Sequence, residues 1–189
     1  MAPERDRQGL DKSLCPCYHE LVSHTIYEST IGQFFITADD KGLCQSGFLD
    51  SSKDRFLEQL GSSGQKVNSI LQKNYLDLAT SQLDEYFQGK RQTFDIPLNL
   101  CISGSFYQNV LDTLRYVPYG TTLSYKSLAR LAGRPKAIRA TGTACSLNPL
   151  PIFIGCHRVL KNNGQTGNYL GGQDKKKYLL DLESSYLSA

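Results

Sequence analysis

Pro149-Leu150-Pro151-Ile152-Phe153-Ile154-Gly155 runs directly into Cys156-His157-Arg158. The β-branched and aromatic character of the run predicts a short buried strand or extended segment. Where it stops, a thiol, an imidazole and a guanidinium arrive together. Thiolate is the nucleophilic form of cysteine, and neighbouring cations or proton acceptors lower a thiol's pKa. The triplet therefore has the parts of a nucleophilic site. It is also compatible with plain packing, because free cysteine is among the most buried residue types. The surrounding chain has to decide.

A chain of 189 residues has room for one or two small domains and a sizeable core. At 40% hydrophobic and 21% charged it has the balance of a water-soluble globular protein. No apolar run approaches the roughly 20 residues of a membrane span. Met1 to Ser13 carries mixed charges and no apolar h-region, so residues 1–17 are expected to be a loose tail and not a secretory signal. The 6 cysteines sit at irregular spacings, which predicts free thiols and an intracellular, reducing setting. Charge is uneven. Residues 1–100 hold 10 Lys and Arg against 14 Asp and Glu, a net −4; residues 101–189 hold 11 against 4, a net +7. Such asymmetry hints that the second half meets a polyanion.

Upstream, Thr25-Ile26-Tyr27-Glu28, a turn at Ser29-Thr30-Ile31-Gly32, and Gln33-Phe34-Phe35-Ile36-Thr37 read as a hairpin. Asp39-Asp40-Lys41-Gly42 is a second turn, and Leu43 to Phe48 a third strand. Cys15-Pro16-Cys17-Tyr18-His19, with His24 beyond, crowds metal-ligating residues together. Its spacing is not that of common zinc modules, and no metal is expected. Lys53 to Leu60 reads as a helix broken by Gly61-Ser62-Ser63-Gly64. Asn74 to Gln88 repeats helical spacing through Leu76, Ala79, Leu83, Tyr86 and Phe87, with Gly89 as its stop. Thr93 to Leu98 reads as an extended linker. Nothing in residues 1–98 announces a chemistry, and the segment 18–98 is taken as a scaffold domain.

Between the linker and the reactive triplet, Ser105 can cap a helix running to about Tyr116, with Val110, Leu111 and Leu114 inward. A second helix, Tyr125 to Leu131, is closed by Gly133. Arg134-Pro135 opens a third, with Pro135 near its first turn, running through Ala137, Ile138, Thr141 and Ala144 and ending before Asn148-Pro149. Two short helices joined by a tight glycine turn describe a helix-turn-helix. Such a pair is more often plain packing than DNA binding, but Arg134, Lys136 and Arg139 on its turn and second helix shift the balance toward nucleic acid. Beyond the triplet come a turn at Asn162-Asn163-Gly164 and a glycine-dense stretch, Gly167-Asn168-Tyr169-Leu170-Gly171-Gly172. It can approach a ligand closely but lacks the Walker phosphate-loop spacing. A last helix, Lys175 to Leu182, carries Tyr178, Leu179 and Leu182 as its apolar face and Glu183 at its end.

Taken in order, Thr122-Leu123-Ser124-Tyr125, Leu128-Ala129, Gly133-Arg134-Pro135-Lys136-Ala137, Arg139-Ala140, Asn148-Pro149, Ile154-Gly155-Cys156-His157-Arg158-Val159 and Gly167-Asn168-Tyr169 with Gly171-Gly172 resemble the O6-alkylguanine-DNA alkyltransferases. The resemblance covers roughly Phe106 to Glu183; the first half matches that family only in outline. It implies an α+β protein: a small N-terminal domain, 18–98, of a three-stranded sheet plus helices, and a mostly helical C-terminal domain, 99–189, holding a helix-turn-helix. It further implies direct-reversal DNA repair, with an alkyl group moved irreversibly from O6-alkylguanine in double-stranded DNA to Cys156, one lesion per protein. O4-alkylthymine is a candidate second substrate. No cofactor, no membrane and a monomer are expected, in the cytoplasm of a bacterium or the nucleus of a eukaryote.

Residue roles follow from the same resemblance. Cys156 is the acceptor, His157 its base acting through a water, Glu183 the group orienting that imidazole, and Asn148 the hinge fixing the reactive segment. Arg139 fills the space left by a flipped base and Tyr125 helps rotate it, with Arg134 and Ala137 also at the DNA face. Tyr125, Arg158, Val159, Tyr169 and Gly171 correspond to the base pocket. The family's usual Pro before the cysteine is Gly155 here, which is expected to loosen the backbone. Leu170 stands where several members carry a small hydroxyl residue, reshaping the pocket. Cys44 falls near one family zinc position, but the other ligands do not follow. Two rival readings remain: a lesion-recognising DNA-binding protein without transfer, which the reactive cysteine argues against, and a Cys-His thiol enzyme acting on small molecules.

Overall fold

Alternating apolar residues and two tight turns build the first layer. Strands β1 (Ser23–Ser29), β2 (Gly32–Asp39) and β3 (Gly42–Phe48) pair antiparallel in the order β1-β2-β3, as the turn residues predict. The structure, a computed structural model, describes residues 22–52, 69–100 and 105–186. The expected tail, the Cys15–His19 group, the Lys53–Leu60 helix with its glycine break, and Cys101 lie outside those residues.

Asp39 closes the second turn, its carboxylate accepting from the amides of Lys41 at 2.8 Å and Gly42 at 3.0 Å. Gly42 has φ +147°, and a Cβ there would sit 2.3 Å from the Pro97 carbonyl oxygen. That close approach lets Leu43 N–H donate to Pro97 O at 2.9 Å and Asn99 N–H to Leu43 O at 2.8 Å. The Thr93–Leu98 stretch is thus docked on β3, extended but no free linker. Further along the same strand, Ser46 N–H donates to Pro149 O at 2.8 Å. The edge of β3 is covered by the chain's own segments, which removes an aggregation-prone edge.

Helix α1 (Ile70–Phe87) lies on the sheet with Leu76, Ala79, Leu83 and Tyr86 buried. It begins at Ile70 and not at the expected Asn74, because its first turn is tied to the β2–β3 turn. Ser69 Oγ and Gln72 Nε2 donate to Asp40 Oδ1 at 2.9 and 3.0 Å. No apolar periodicity announces such a polar anchor. At the other end Gly89 N–H bonds Tyr86 O and Lys90 N–H bonds Glu85 O, a Schellman stop with Gly89 at φ +71°.

Helix α2 (Ser105–Arg115) buries Val110, Leu111 and Leu114. Ser105 is the first described residue of that helix. The two-residue strand β4 (Leu123–Ser124) leads into helix α3 (Tyr125–Leu131), where Ser124 Oγ accepts from Ser127 N–H at 3.0 Å as an N-cap. Helix α4 (Ile138–Ser146) starts beyond the expected Pro135. Ala137 N–H bonds Arg134 O at 2.9 Å, so Arg134–Ala137 is a β-turn with Pro135 at its second position. Gly133, at φ +82°, ends α3, and the pair α3/α4 is the helix-turn-helix predicted. Helix α5 (Gln173–Ser185) closes the chain.

One core runs from Phe34, Leu43 and Phe48 of the sheet through Leu83 and Tyr86 to Leu111, Leu128, Ala144, Leu150 and Leu179. No described helix is long and apolar enough to cross a membrane.

Candidate active site

The Pro149–Gly155 run is buried throughout, as its composition requires, but it is not a strand. Asn148 bends it: its Oδ1 accepts from Leu150 N–H at 3.0 Å and its Nδ2 donates to Ile154 O at 2.9 Å. Ile154 N–H closes the loop onto Leu150 O at 2.8 Å. The curvature forces Ile152 to φ +73°, a left-handed geometry that a β-branched residue adopts only under constraint. A single buried amide thus overrides the strand preference of the run.

The segment delivers Cys156–Arg158 as one turn of 3₁₀ helix. Strand β5 (Val159–Leu160) follows at once and pairs parallel with β4, Leu123 against Val159 and Ser124 against Leu160. The reactive turn is therefore laced to the start of α3.

Cys156 is 5% exposed, and Asn148 Nδ2 donates to its Sγ at 3.0 Å. Burial pushes this thiol up, with the Asn148 amide and the charge of Lys176 working against the rise. At rest it is a neutral thiol, a weak nucleophile in need of a base. His157 is the adjacent base. Burial lowers its pKa, Glu183 opposes, and Arg158 and Lys176 add to the lowering, so the imidazole is neutral near pH 7.

His157 Nε2 lies 2.7 Å from Glu183 Oε1. Burial alone would raise the Glu183 carboxyl, but hydrogen bonds and charges from His157 and Arg158 outweigh it and hold it well below the usual carboxylate range. An ionised carboxylate only accepts, so Nε2 carries the proton and Nδ1 keeps its lone pair. Nδ1 is buried without a protein partner among the described residues. It is the nitrogen free to take a thiol proton.

Glu183 is held from several directions. Arg158 donates to both its oxygens, at 2.9 to 3.2 Å, and Gly120 N–H donates to Oε2 at 2.9 Å. Tyr86, from the sheet side of the molecule, donates to Oε1 at 2.8 Å. Arg158, placed in the base pocket by resemblance, thus spends its guanidinium on Glu183 and on Val117 O, 2.7 Å away.

The other anticipated residues fall into two groups, those near the reactive turn and those on the helix-turn-helix. Val159 and Gly171 are buried; the ring of Tyr169 meets that of His157 edge-on at 6.4 Å. A Cβ on Gly171 would lie 2.6 Å from the Phe48 ring and 3.1 Å from that of Tyr169, so the glycine admits Phe48 of β3 to this wall. A Cβ on Gly167 would lie 2.5 Å from Tyr125 Oη, which rests against that backbone. On the helix-turn-helix, Arg134 and Arg139 are exposed and Ala137, the N-cap of α4, is half-buried. Arg134 stacks over the Phe106 ring at 5.1 Å.

At Gly155, where a looser backbone is expected, φ is −70°, a value proline also adopts. What glycine supplies is room: a Cβ there would come within 2.9 Å of the Arg158 side chain.

Two residues went unread in the sequence. Lys176 is fully buried, and its Nζ donates to Val159 O at 2.6 Å. Burial lowers its pKa, countered by Cys156 and Cys145. Lys176, Leu179 and Glu183 share one face of α5, and counting back from Leu179 would have found the lysine. Tyr178, expected inward, is on the outer face, its hydroxyl 3.0 Å from Thr30 Oγ1. Helical spacing places Tyr86 in the core but gives its hydroxyl no destination. No cluster of three or more His, Cys, Asp or Glu able to hold a metal occurs among the described residues.

The chain as a whole is similar to known proteins. Residues 105–185 match the 6-O-methylguanine DNA methyltransferase DNA binding domain, and residues 22–100 match the ribonuclease-like domain of 6-O-methylguanine DNA methyltransferase. A methylated-DNA–protein-cysteine methyltransferase of Methanosarcina barkeri is 36% identical over 87% of this chain and 98% of its own. Its counterpart in Cricetulus griseus is also 36% identical, over 86% and 82%. The crystal structure of a Mycobacterium tuberculosis protein, described as OGT in complex with DNA, superposes with a TM-score of 0.73 at 30% identity, covering 87% of this chain and 94% of that one.

Proposed function

Since this chain belongs to the O6-alkylguanine-DNA alkyltransferase family, we infer the following roles for its residues in direct-reversal repair of DNA. The protein is a methylated-DNA–protein-cysteine methyltransferase, consumed by its own reaction. Cys156 takes the alkyl group from guanine O6. His157 Nδ1 receives the thiol proton through a water, the sulfur attacks the alkyl carbon, and the carbon–oxygen bond breaks with its electron pair going to the base; the guanine anion so formed takes up a proton, balancing the one left on the imidazole, and guanine is restored. The thioether is not reversed. Glu183 keeps the imidazole in the tautomer that can accept, and Asn148 holds the sulfur with a hydrogen bond that strengthens as negative charge gathers there.

The DNA enters over α3 and α4. Arg134 and Arg139 meet the duplex with Ala137 at the same face, Arg139 filling the gap left by the flipped nucleotide and Tyr125 turning it. Val159, Tyr169 and Gly171 receive the base. Residues 18–98 act as one unit and 99–189 as the reactive one, monomeric and without cofactor, in whichever compartment holds the DNA.

One observation carries the reading: a thiol bonded to Asn148, followed by an imidazole bonded to a buried carboxylate, on the turn paired with the start of a helix-turn-helix. The experiment is transfer from duplex DNA carrying O6-methylguanine labelled in its methyl group. Wild-type protein takes up one label per molecule, mapped to Cys156, and Cys156→Ala takes up none. Repeated turnover, or equal labelling of the variant, refutes it.

A further inference from the structure

The scaffold side of the molecule does not stop at the scaffold. Tyr86 sits in the last turn of α1, fully buried, its ring packed edge-on against Tyr119 at 5.8 Å and tilted against Phe94 at 5.5 Å. Its hydroxyl reaches Glu183 Oε1 at 2.8 Å, the same oxygen that binds His157 Nε2 at 2.7 Å. We propose that Tyr86 is a positioning residue for alkyl transfer, its hydroxyl fixing the Glu183 carboxylate and drawing charge from the oxygen that orients His157. The proposal rests on the alkyl-transfer reading and deepens it.

Packing alone does not require this hydroxyl, since phenylalanine would fill the same space. Burying a phenol costs free energy unless it finds a partner, and the partner here is the one carboxylate that faces the base. The ring is fixed by aromatic neighbours and by the Schellman stop immediately after it, so the donor is pre-aimed. Burial, then the charge of Glu183, raises the phenol far above neutrality, and it remains a donor at any working pH. A donor on Oε1 weakens that oxygen's hold on an imidazolium, which favours the neutral, proton-accepting form of His157.

Among the described residues, Glu183 and Lys176 face this centre from α5, Arg158 from the reactive turn, Tyr169 from the glycine-rich stretch, with Cys156 acting on it, and Tyr119 from the turn before β4. Only the Tyr86 donor is removed by Tyr86→Phe, which keeps the ring.

The test is the single-turnover rate of alkyl transfer to the full chain, measured against pH with saturating O6-methylguanine DNA. Tyr86→Phe is expected to move the acid limb up by about 0.5–1 pH unit, the scale of one hydrogen bond to a carboxylate, with DNA affinity unchanged. 3-Fluorotyrosine at position 86, a stronger donor, moves it the other way. Leu83→Ala, at a buried position of the same helix whose side chain carries no donor or acceptor, lowers stability and leaves the limb in place. A limb that stays put or falls in Tyr86→Phe, or that moves equally in Leu83→Ala, overturns the proposal. Absence of transfer by wild-type protein would instead refute the function itself.

Discussion

Glu183 illustrates how much one side chain can carry. It is a buried charge whose neighbours are a guanidinium, an imidazole, a phenol and a backbone amide. Glu183→Gln keeps the shape but leaves Arg158 buried without its counter-charge. Breaking such a pair costs about 3–5 kcal/mol, read as a lower urea midpoint, and the transfer rate should fall by about 100-fold or more with the imidazole no longer held in its tautomer. The pH dependence has a definite sign. His157 has a folded pKa below its ordinary 6.5, and Glu183 one below its ordinary 4.5. As pH falls below each ordinary value the unfolded chain takes a proton that the folded one refuses. Stability is therefore full above about pH 6.5 and is lost toward the acid, first through His157 and then through Glu183; urea midpoints at pH 7.5 and 5.5 should show the lower value at 5.5. The Cys-His-Arg triplet was legible as a candidate site only together with the ordered motifs around it, since the residue types alone fit plain packing as well. The proton bookkeeping was not, because it depends on which nitrogen meets which oxygen.

Elements were legible where a periodic face or a turn residue marks them. The three strands and α2, α3 and α5 stand close to where alternation, Gly42, Gly133 and apolar spacing put them. The departures share a cause: a polar side chain reaching across the fold. Asp40 extends α1 to Ile70, and Asn148 curls a run that composition alone would extend. Gly89 is a different case, readable as a stop but not as a contact. A Cβ there would lie 2.4 Å from the Tyr186 ring, in addition to the strain of φ +71°. Gly89→Ala should destabilise by more than the roughly 1 kcal/mol of an unhindered left-handed glycine, seen as a drop in Tm. Because Gly89 follows Tyr86 so closely, the same variant should also slow transfer, which the DNA-binding face cannot explain.

At the scale of the whole molecule, the positive excess of residues 101–189 includes Arg134 and Arg139, both exposed on the helix-turn-helix. Phosphate contacts make DNA affinity fall with salt in proportion to the charges engaged. Arg134→Ala should lower the log–log slope of affinity against salt by about 1, while the rate of transfer from saturated complex stays near wild type. Fluorescence anisotropy across a salt series measures the slope. That the sheet half would reach the reaction was not legible, since a tyrosine at a core position looks the same whether its hydroxyl is idle or engaged. The buried, protonated state of Cys156 has a last consequence. A molecule with a single shot cannot let peroxide, aldehydes or stray electrophiles spend it, and a sulfur that sleeps until its proper guest arrives is guarded by the same desolvation that makes it sluggish.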